Sequence, residues 1–480
     1  MLPINFNPRK ISDYIFHILL PVLAVWLPLL FLSLGLPIMP RITSTAEQLF
    51  NAFSFCMWCV LFVAAYREIK AHPGISFEKG IMILLPLLVS FFFLVLIVEH
   101  ADQSWDYEQY ENAFRAIVRK ENPYNSGRYL YPPLFAQVMA YIYSVGKKLL
   151  DPTTINLWLF VFYIHQCAQL FLINVAYQLS SRFASRVGYS DLQNKLIVTG
   201  LFLFNFPLVR MLRLNQINLY VLNAILIALL ALNRFPFLSG AAVALGGLIK
   251  LYTLSMGAPL VMMKKWRALF GAFVSGILII LLLTNFGRDL SLWKQFILFF
   301  LSFPSERESS IWIRNTTLLS LARNLARFTE LPESIILPLV IISTLAVLTW
   351  IALRFYKREK IYRTLPSGPA AETYRNFGSL IDFSSVALLV TPSAWDHHFV
   401  IALPLALWAV ALRGKDRPGW LGIAITCIFV LPSFDIFPFN YLRMFGVMAL
   451  LLLASPDFFS EIFRKISAGI LKKYFLLSLV

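Results

Sequence analysis

Charge is what this chain has least of. Asp, Glu, Lys and Arg together make up 14% of its 480 residues, while hydrophobic types make up 59%. Soluble domains carry about 25% charged residues, so the composition excludes a water-soluble globular protein. Long apolar runs recur along the whole chain, and a bilayer-spanning helix needs about 20 such residues. The fold predicted is an all-α polytopic membrane protein, a single integral membrane domain over residues 1–480. Acid is scarcer still: 25 Asp and Glu against 42 Lys and Arg leave a net charge of +17. That excess does not require nucleic acid as a partner, because Lys and Arg collect at the cytoplasmic ends of membrane helices.

Cysteine is also sparse, and all four (Cys56, Cys59, Cys167, Cys427) lie within apolar runs. No disulfide framework is implied. Cys56-Met57-Trp58-Cys59 has redox spacing but sits mid-run without a βαβ context, so it reads as packing. No P-loop, GxSxG or HExxH pattern occurs, which leaves nucleotide hydrolysis and zinc proteolysis without support. Arg9 and Lys10 precede an apolar run from Ile15 to Met39. It is too long for a signal core and lacks a small-residue cleavage site, so it reads as a first membrane helix.

The apolar runs and basic loops predict an N-terminal helical hairpin (residues 1–70) and a third helix near 80–98. Later spans are expected near 154–178, 197–212, 216–233, 268–284, 333–353, 379–392, 398–412, 418–432 and 440–455. Residues 236–263 read as a hairpin of two short arms with Lys250 near its tip, because basic residues flank both ends. Residues 133–146 read as a surface or shallow helix, and 456–480 as an amphipathic tail. The total is about 12–14 membrane segments, with both termini in the cytoplasm.

What is present stands out against this background. Glu99–Pro133 holds six carboxylates (Glu99, Asp102, Asp106, Glu108, Glu111, Glu121) in the first long polar stretch. Within it, Tyr107, Tyr110, Phe114, Ile117 and Val118 recur every three or four residues, the pattern of an amphipathic helix on a membrane surface. Residues 99–150 thus read as an outer loop with surface helices. Three further polar clusters share that predicted face: Arg213–Gln216, Lys250 and Trp395–His398. Arg210 and Arg314 fall there too, and cations on that side suit an anionic ligand.

A carboxylate beside apolar surface becomes a better general base, and Asp106 is the candidate. Its alternative role is a solvated acid or helix cap, with Asp102 and Glu99 as competing bases. His397-His398 beside Asp396 reads as a phosphate or acceptor contact, an interfacial cluster or a metal site. Adjacent helical residues point about 100° apart, which disfavours joint chelation. Lys250 reads as a phosphate contact or a snorkelling lysine, and Arg213 as a contact or a common helix-end arginine.

These stretches together carry a resemblance. Asp106-Tyr107-Glu108-Gln109-Tyr110, Pro123-Tyr124 and Tyr131-Pro132-Pro133-Leu134 are followed by Asn215-Gln216-Ile217-Asn218. Gly240 to Lys250 and Thr391-Pro392-Ser393-Ala394-Trp395-Asp396-His397-His398 come next, in the same order. Over about residues 99–400 the chain resembles glycosyltransferase family 87, membrane enzymes of the C-type (GT-C) fold. Asn215 stands where that family has Gly, and Thr391 where it has Ser. The resemblance implies an inverting sugar transferase, with mannose the default sugar and a polyprenyl-phosphate sugar as donor. The acceptor would be a lipid or glycan at the outer face of a bacterial cytoplasmic membrane. It implies no metal and no cofactor beyond the lipid-linked co-substrate. Asp106 would be the base; Lys250, Arg213, His397 and His398 would hold the donor phosphate. Tyr107, Tyr110, Tyr124, Tyr131, Gln216, Asn218 and Trp395 would line the acceptor side. A lipid-linked oligosaccharide flippase is the rival of another class, although no internal repeat is visible. An O-antigen polymerase or ligase is the rival enzyme.

Overall fold

The computed structural model describes residues 77–99, 105–150, 156–301, 315–330, 332–414, 416–431, 433 and 437–455. The N-terminal hairpin, Asp102, Arg314 and the C-terminal tail lie outside the described residues. Every regular element among the described residues is helical. In chain order they are α1 (Phe77–Glu99), α2 (Trp105–Val118), α3 (Leu134–Leu149), α4 (Leu157–Arg186), α5 (Asp191–Leu203), α6 (Phe206–Arg213), α7 (Asn218–Ala231) and α8 (Pro236–Ile249). A 3-10 turn (Leu251–Met256) leads to α9 (Gly257–Met262), α10 (Trp266–Leu283), α11 (Ser291–Leu301), α12 (Leu318–Phe328), α13 (Glu333–Thr364) and α14 (Pro369–Val390). A second 3-10 segment (Asp396–Ala402) opens α15 (Leu403–Arg413), and α16 (Pro418–Ile425) and α17 (Leu442–Leu453) close the fold.

Among the described residues, three helices are long and apolar enough to cross a membrane: Leu157–Arg186, Trp266–Leu283 and Ser334–Thr364. The polytopic all-α architecture is therefore the one the composition predicts. Several expected spans are shorter or broken. The one near 197–212 divides into α5 and α6, bent by 49°. Asn205 makes that break: its side chain caps Leu208 N at 2.9 Å, and Pro207 cannot continue the preceding hydrogen-bond ladder. The predicted helix at 133–146 is α3, whose 16 residues rise about 24 Å, short of the ~30 Å hydrocarbon core.

α7 is apolar all round and buried on nearly every side, which makes it the centre of the bundle. It packs between α4 and α8. By contrast α10 and α13 keep apolar side chains exposed, among them Phe273, Leu282, Ile342 and Leu345, as a bilayer solvent permits. After Lys250 the chain folds back along α8: Thr253 Oγ1 donates to Val243 O at 2.7 Å, and Thr253 and Leu254 fill the space beside Gly246 and Gly247. This is the short-armed hairpin expected from the flanking charges. Its outer arm touches α10 backbone to backbone. A Cβ on Gly240 would lie 1.7 Å from Ala268 O, and one on Gly271 would lie 2.3 Å from Phe237 O. Close small-residue contacts of this kind join membrane helices.

Candidate active site

The polar segments that the sequence places on one face do meet at one end of the bundle. Tyr124, of the acidic stretch, stacks on Phe299 of α11 at 5.3 Å. Asn315 and Thr316 strap the segment that leads into Trp395–His398: Asn315 Nδ2 donates to Pro392 O (2.8 Å), Ala394 N donates to Asn315 Oδ1 (3.0 Å), and Thr316 N donates to Ala394 O (2.9 Å).

α2 is the amphipathic helix expected, but its apolar stripe faces protein. Tyr107, Tyr110 and Phe114 are buried, Tyr107 against Phe162 (4.7 Å), Tyr110 against Phe135 (5.3 Å) and Phe114 against Trp158 (5.6 Å). The reading as a membrane-surface helix is corrected here: the three aromatic side chains turn to α3 and α4, and a stripe covered by protein does not lie on a bilayer. The stripe fixes the helix's rotation and leaves Asp106 half-buried. Asp106 sits in the first turn, one residue after Trp105, where a negative charge suits the helix dipole. Burial pushes its carboxyl above the usual carboxylate range. The Gln216 amide and the charges of Lys250 and Arg210 pull the other way and offset only part of that rise.

Lys250, 5% exposed, stands at the hairpin tip. Its Nζ donates to Asn218 Oδ1 (2.8 Å), lies 2.7 Å from His398 Nε2 and sits 4.7 Å from the centre of the Tyr131 ring. Asn218 in turn donates to His397 O (3.1 Å) and so ties the start of α7 to the second 3-10 segment. His398 has partners at both ring nitrogens. Opposite Lys250, its Nδ1 lies 2.8 Å from the Tyr252 hydroxyl and 3.2 Å from the Trp395 backbone N–H. His397 differs. Its ring is 3% exposed, stands edge-on to His398 at 4.5 Å, and has no hydrogen-bond partner at either nitrogen.

Asp396 is an anchor. It accepts from Arg443 Nε (3.1 Å), from Arg210 NH1 (3.0 Å) and from the Ser433 hydroxyl. With its oxygens spent on two guanidinium groups, it is no free ligand for a cation. Among the described residues no three His, Cys, Asp or Glu side chains converge as metal ligands.

The structure thus gathers Asp106, Tyr110, Tyr131, Gln216, Asn218, Lys250, His397 and His398. Tyr124 and Tyr107 lie behind them as packing, and Trp395 contributes its backbone, with its indole donating to Ser393 Oγ (3.1 Å). Arg213 is exposed at the end of α6, and the cation on that helix which joins the cluster is Arg210. Sequence reading placed Arg210 on this face without a role. Helix phase separates the two arginines: Pro207, Leu208, Met211 and Leu212 form the buried side. At 3.6 residues per turn Arg213 points away from it and Arg210 lies on its flank. Tyr252 and Arg443 are also new to the site, and no local pattern marks them.

A buried cation, an unpaired imidazole and a half-buried carboxylate suit transfer to a hydroxyl with an anionic leaving group. No curated protein matches the chain. A family model does: glycosyltransferase family 87 covers residues 129–366, from Tyr129 beside the acidic helix past the Lys250 hairpin. With Tyr131, Gln216, Asn218 and Lys250 inside that match, the chain carries a glycosyltransferase family 87 domain over residues 129–366.

Proposed function

We propose that this glycosyltransferase moves a sugar, with inversion, from a polyprenyl-phosphate donor to a hydroxyl of a lipid or glycan acceptor. One observation carries the reading. The half-buried Asp106 lies in the field of Lys250, and the unpaired His397 stands against His398, the partner of Lys250, in a bundle whose apolar helices break where these polar groups gather.

Asp106 takes the proton of the acceptor hydroxyl as that oxygen forms its bond to the anomeric carbon. The bond from that carbon to the phosphate oxygen breaks, and its electron pair leaves with the lipid phosphate. Lys250 and Arg210 supply positive charge for that phosphate without reorganising, since Asn218, His398 and Asp396 already hold them. His397 offers its free ring nitrogens to the phosphate or to a sugar hydroxyl. Side-chain cations neutralise the leaving group in this scheme, so it uses no metal. Broken helices with buried backbone provide an apolar wall for the polyprenyl chain. Mannose as the sugar, and the outer face of a bacterial cytoplasmic membrane as the place, follow from the family resemblance.

The test is sugar transfer by purified protein from labelled polyprenyl-phosphate mannose to lipid and glycan acceptors, wild type beside Asp106→Asn. Transfer by wild type that collapses in a folded Asp106→Asn protein supports both donor and base. Full activity in the variant overturns the base.

A further inference from the structure

Asp106 and Tyr110 are four residues apart on α2, so their side chains lie on one face of the helix. Both meet the side chain of Gln216. The Tyr110 hydroxyl donates to Gln216 Oε1 at 2.5 Å, and a hydrogen bond from the Gln216 side chain lowers the Asp106 carboxyl. A carboxamide has one acceptor end and one donor end. A phenol hydrogen on the oxygen therefore dictates that the NH2 faces Asp106. Tyr110 is itself buried, with its ring 5.5 Å from that of Tyr131, so the donor does not swing away.

The turn that presents Gln216 is held as firmly. Asn215 has φ +53°, a left-handed conformation unusual outside glycine and tolerated best by Asn and Asp. Three buried side chains of α4 grip it. The Gln166 amide donates to Asn215 Oδ1, His165 Nε2 lies 3.1 Å from Asn215 O, and Gln169 Nε2 donates to Gln216 O at 3.3 Å. His165 is fixed in turn by the Tyr220 hydroxyl at 3.2 Å from its Nδ1, and its ring stacks on Tyr107, the residue next to Asp106. Three polar side chains within about one turn of the mostly apolar first half of a membrane helix are costly unless they serve a site. Here all three address a single turn.

We propose that Tyr110 and Gln216 are positioning residues for the base: Tyr110 orients the Gln216 amide, and that amide aims the Asp106 carboxylate, on a turn fixed by His165, Gln166 and Gln169. This rests on Asp106 being the base. One carboxylate lone pair is occupied by the amide, which leaves the opposite oxygen for the acceptor proton. The amide also favours the ionised carboxylate. The charged and titratable groups facing Asp106 are Lys250 from the hairpin, Arg210 from α6, and the phenols of Tyr110 and Tyr131. The two cations act in the same direction as the amide, so its removal is not masked by a compensating acid.

The experiment is the pH profile of kcat and kcat/KM for sugar transfer by the full-length protein. It compares wild type, Asp106→Asn, Gln216→Met, Gln216→Glu and Tyr110→Phe, with a thermal melt of each. Gln216→Met keeps the side chain's length and removes the amide. Its kcat is expected to fall about 10- to 100-fold with KM little changed, the size of one hydrogen bond to a charged group, and its acid limb to move to higher pH. Gln216→Glu, which sets a second carboxylate beside the first, moves the limb further the same way. Tyr110→Phe moves it in the same direction but less, and tests the idea if the position 216 variants do not fold. A folded Gln216→Met or Tyr110→Phe protein with an unmoved acid limb overturns the positioning role, even if Asp106→Asn is inactive. Full activity in Asp106→Asn instead overturns the base itself.

Discussion

Two buried clusters of opposite charge sit in this bundle, and they differ in what is left over. In the first, Asp382 of α14 meets two arginines of α13. Arg354 binds it in a fork (Nε to Oδ2 at 3.0 Å, NH2 to Oδ1 at 2.8 Å) and Arg358 NH2 adds a third bond at 2.8 Å. All three side chains are 1–2% exposed, and Arg354 also donates to Leu451 O and Ala454 O at the end of α17. In the second, Asp106 is half-buried and bound by one amide, while His397 is buried with both ring nitrogens unpaired. The first cluster saturates its carboxylate, leaves only Arg358 Nε without a partner, and locks three helices together. The second keeps groups that only a substrate can satisfy. The difference marks the active site more sharply than charge or burial alone, since both clusters have both.

The sharpest way to break the comparison is Asp106→Asn. Loss of a general base lowers kcat by roughly 10²- to 10⁴-fold, with no loss of stability. The sign is set by linkage. A carboxyl raised by burial favours the fold only at low pH, and that contribution is gone once pH rises through its folded value. At neutral pH the ionised Asp106 burdens the fold, so the neutral Asn variant should melt at the same temperature or higher in detergent.

Asp382→Ala should do the reverse. It strands two buried guanidinium groups, a change that costs roughly 3–5 kcal/mol. Thermal unfolding would show it as a large fall in melting temperature. A wild-type melting curve would mean that the triad is not closed in the folded protein.

His397→Phe conserves the ring and removes two unpaired nitrogens. Its stability should match or exceed wild type, whereas transfer loses about 10-fold or more if the imidazole bonds the substrate. Unchanged kinetics would move His397 into the packing.

The smallest effect is expected from Arg210→Gln. Removing one of the cations that lower the Asp106 carboxyl moves the acid limb of the rate profile to higher pH, and the loss of a donor to Asp396 loosens the strap modestly. A limb that stays in place would put Arg210 outside the field of the base.

The sequence carried part of this and hid the rest for physical reasons. Membrane character, α2 and the hairpin with Lys250 at its tip come from short-range signals: apolar period and flanking charge. Lys250 and the paired histidines are polar residues in apolar surroundings, conspicuous for that reason, whereas Asp106 stands in the first long polar stretch and Asn218 in a short motif. The pairing of Asp396 with Arg443 crosses 47 residues of sequence and has no local mark. Nor does the division of labour between the histidines, which follows from where Tyr252 and Lys250 stand. The inward face of α2 was misread because a protein interior and a membrane surface ask for the same apolar stripe.

The hairpin that carries Lys250 is located from its far end. Gly240 lies ten residues before the lysine, about 15 Å along the helix. There the backbones of α8 and α10 meet so closely that not even a methyl group fits. The arm behaves as a gauge rod, its foot stopped against α10 and its point setting the depth at which the cation stands. Any side chain added at the foot displaces the point, so the charge that faces the leaving group is adjusted by a residue that never approaches it.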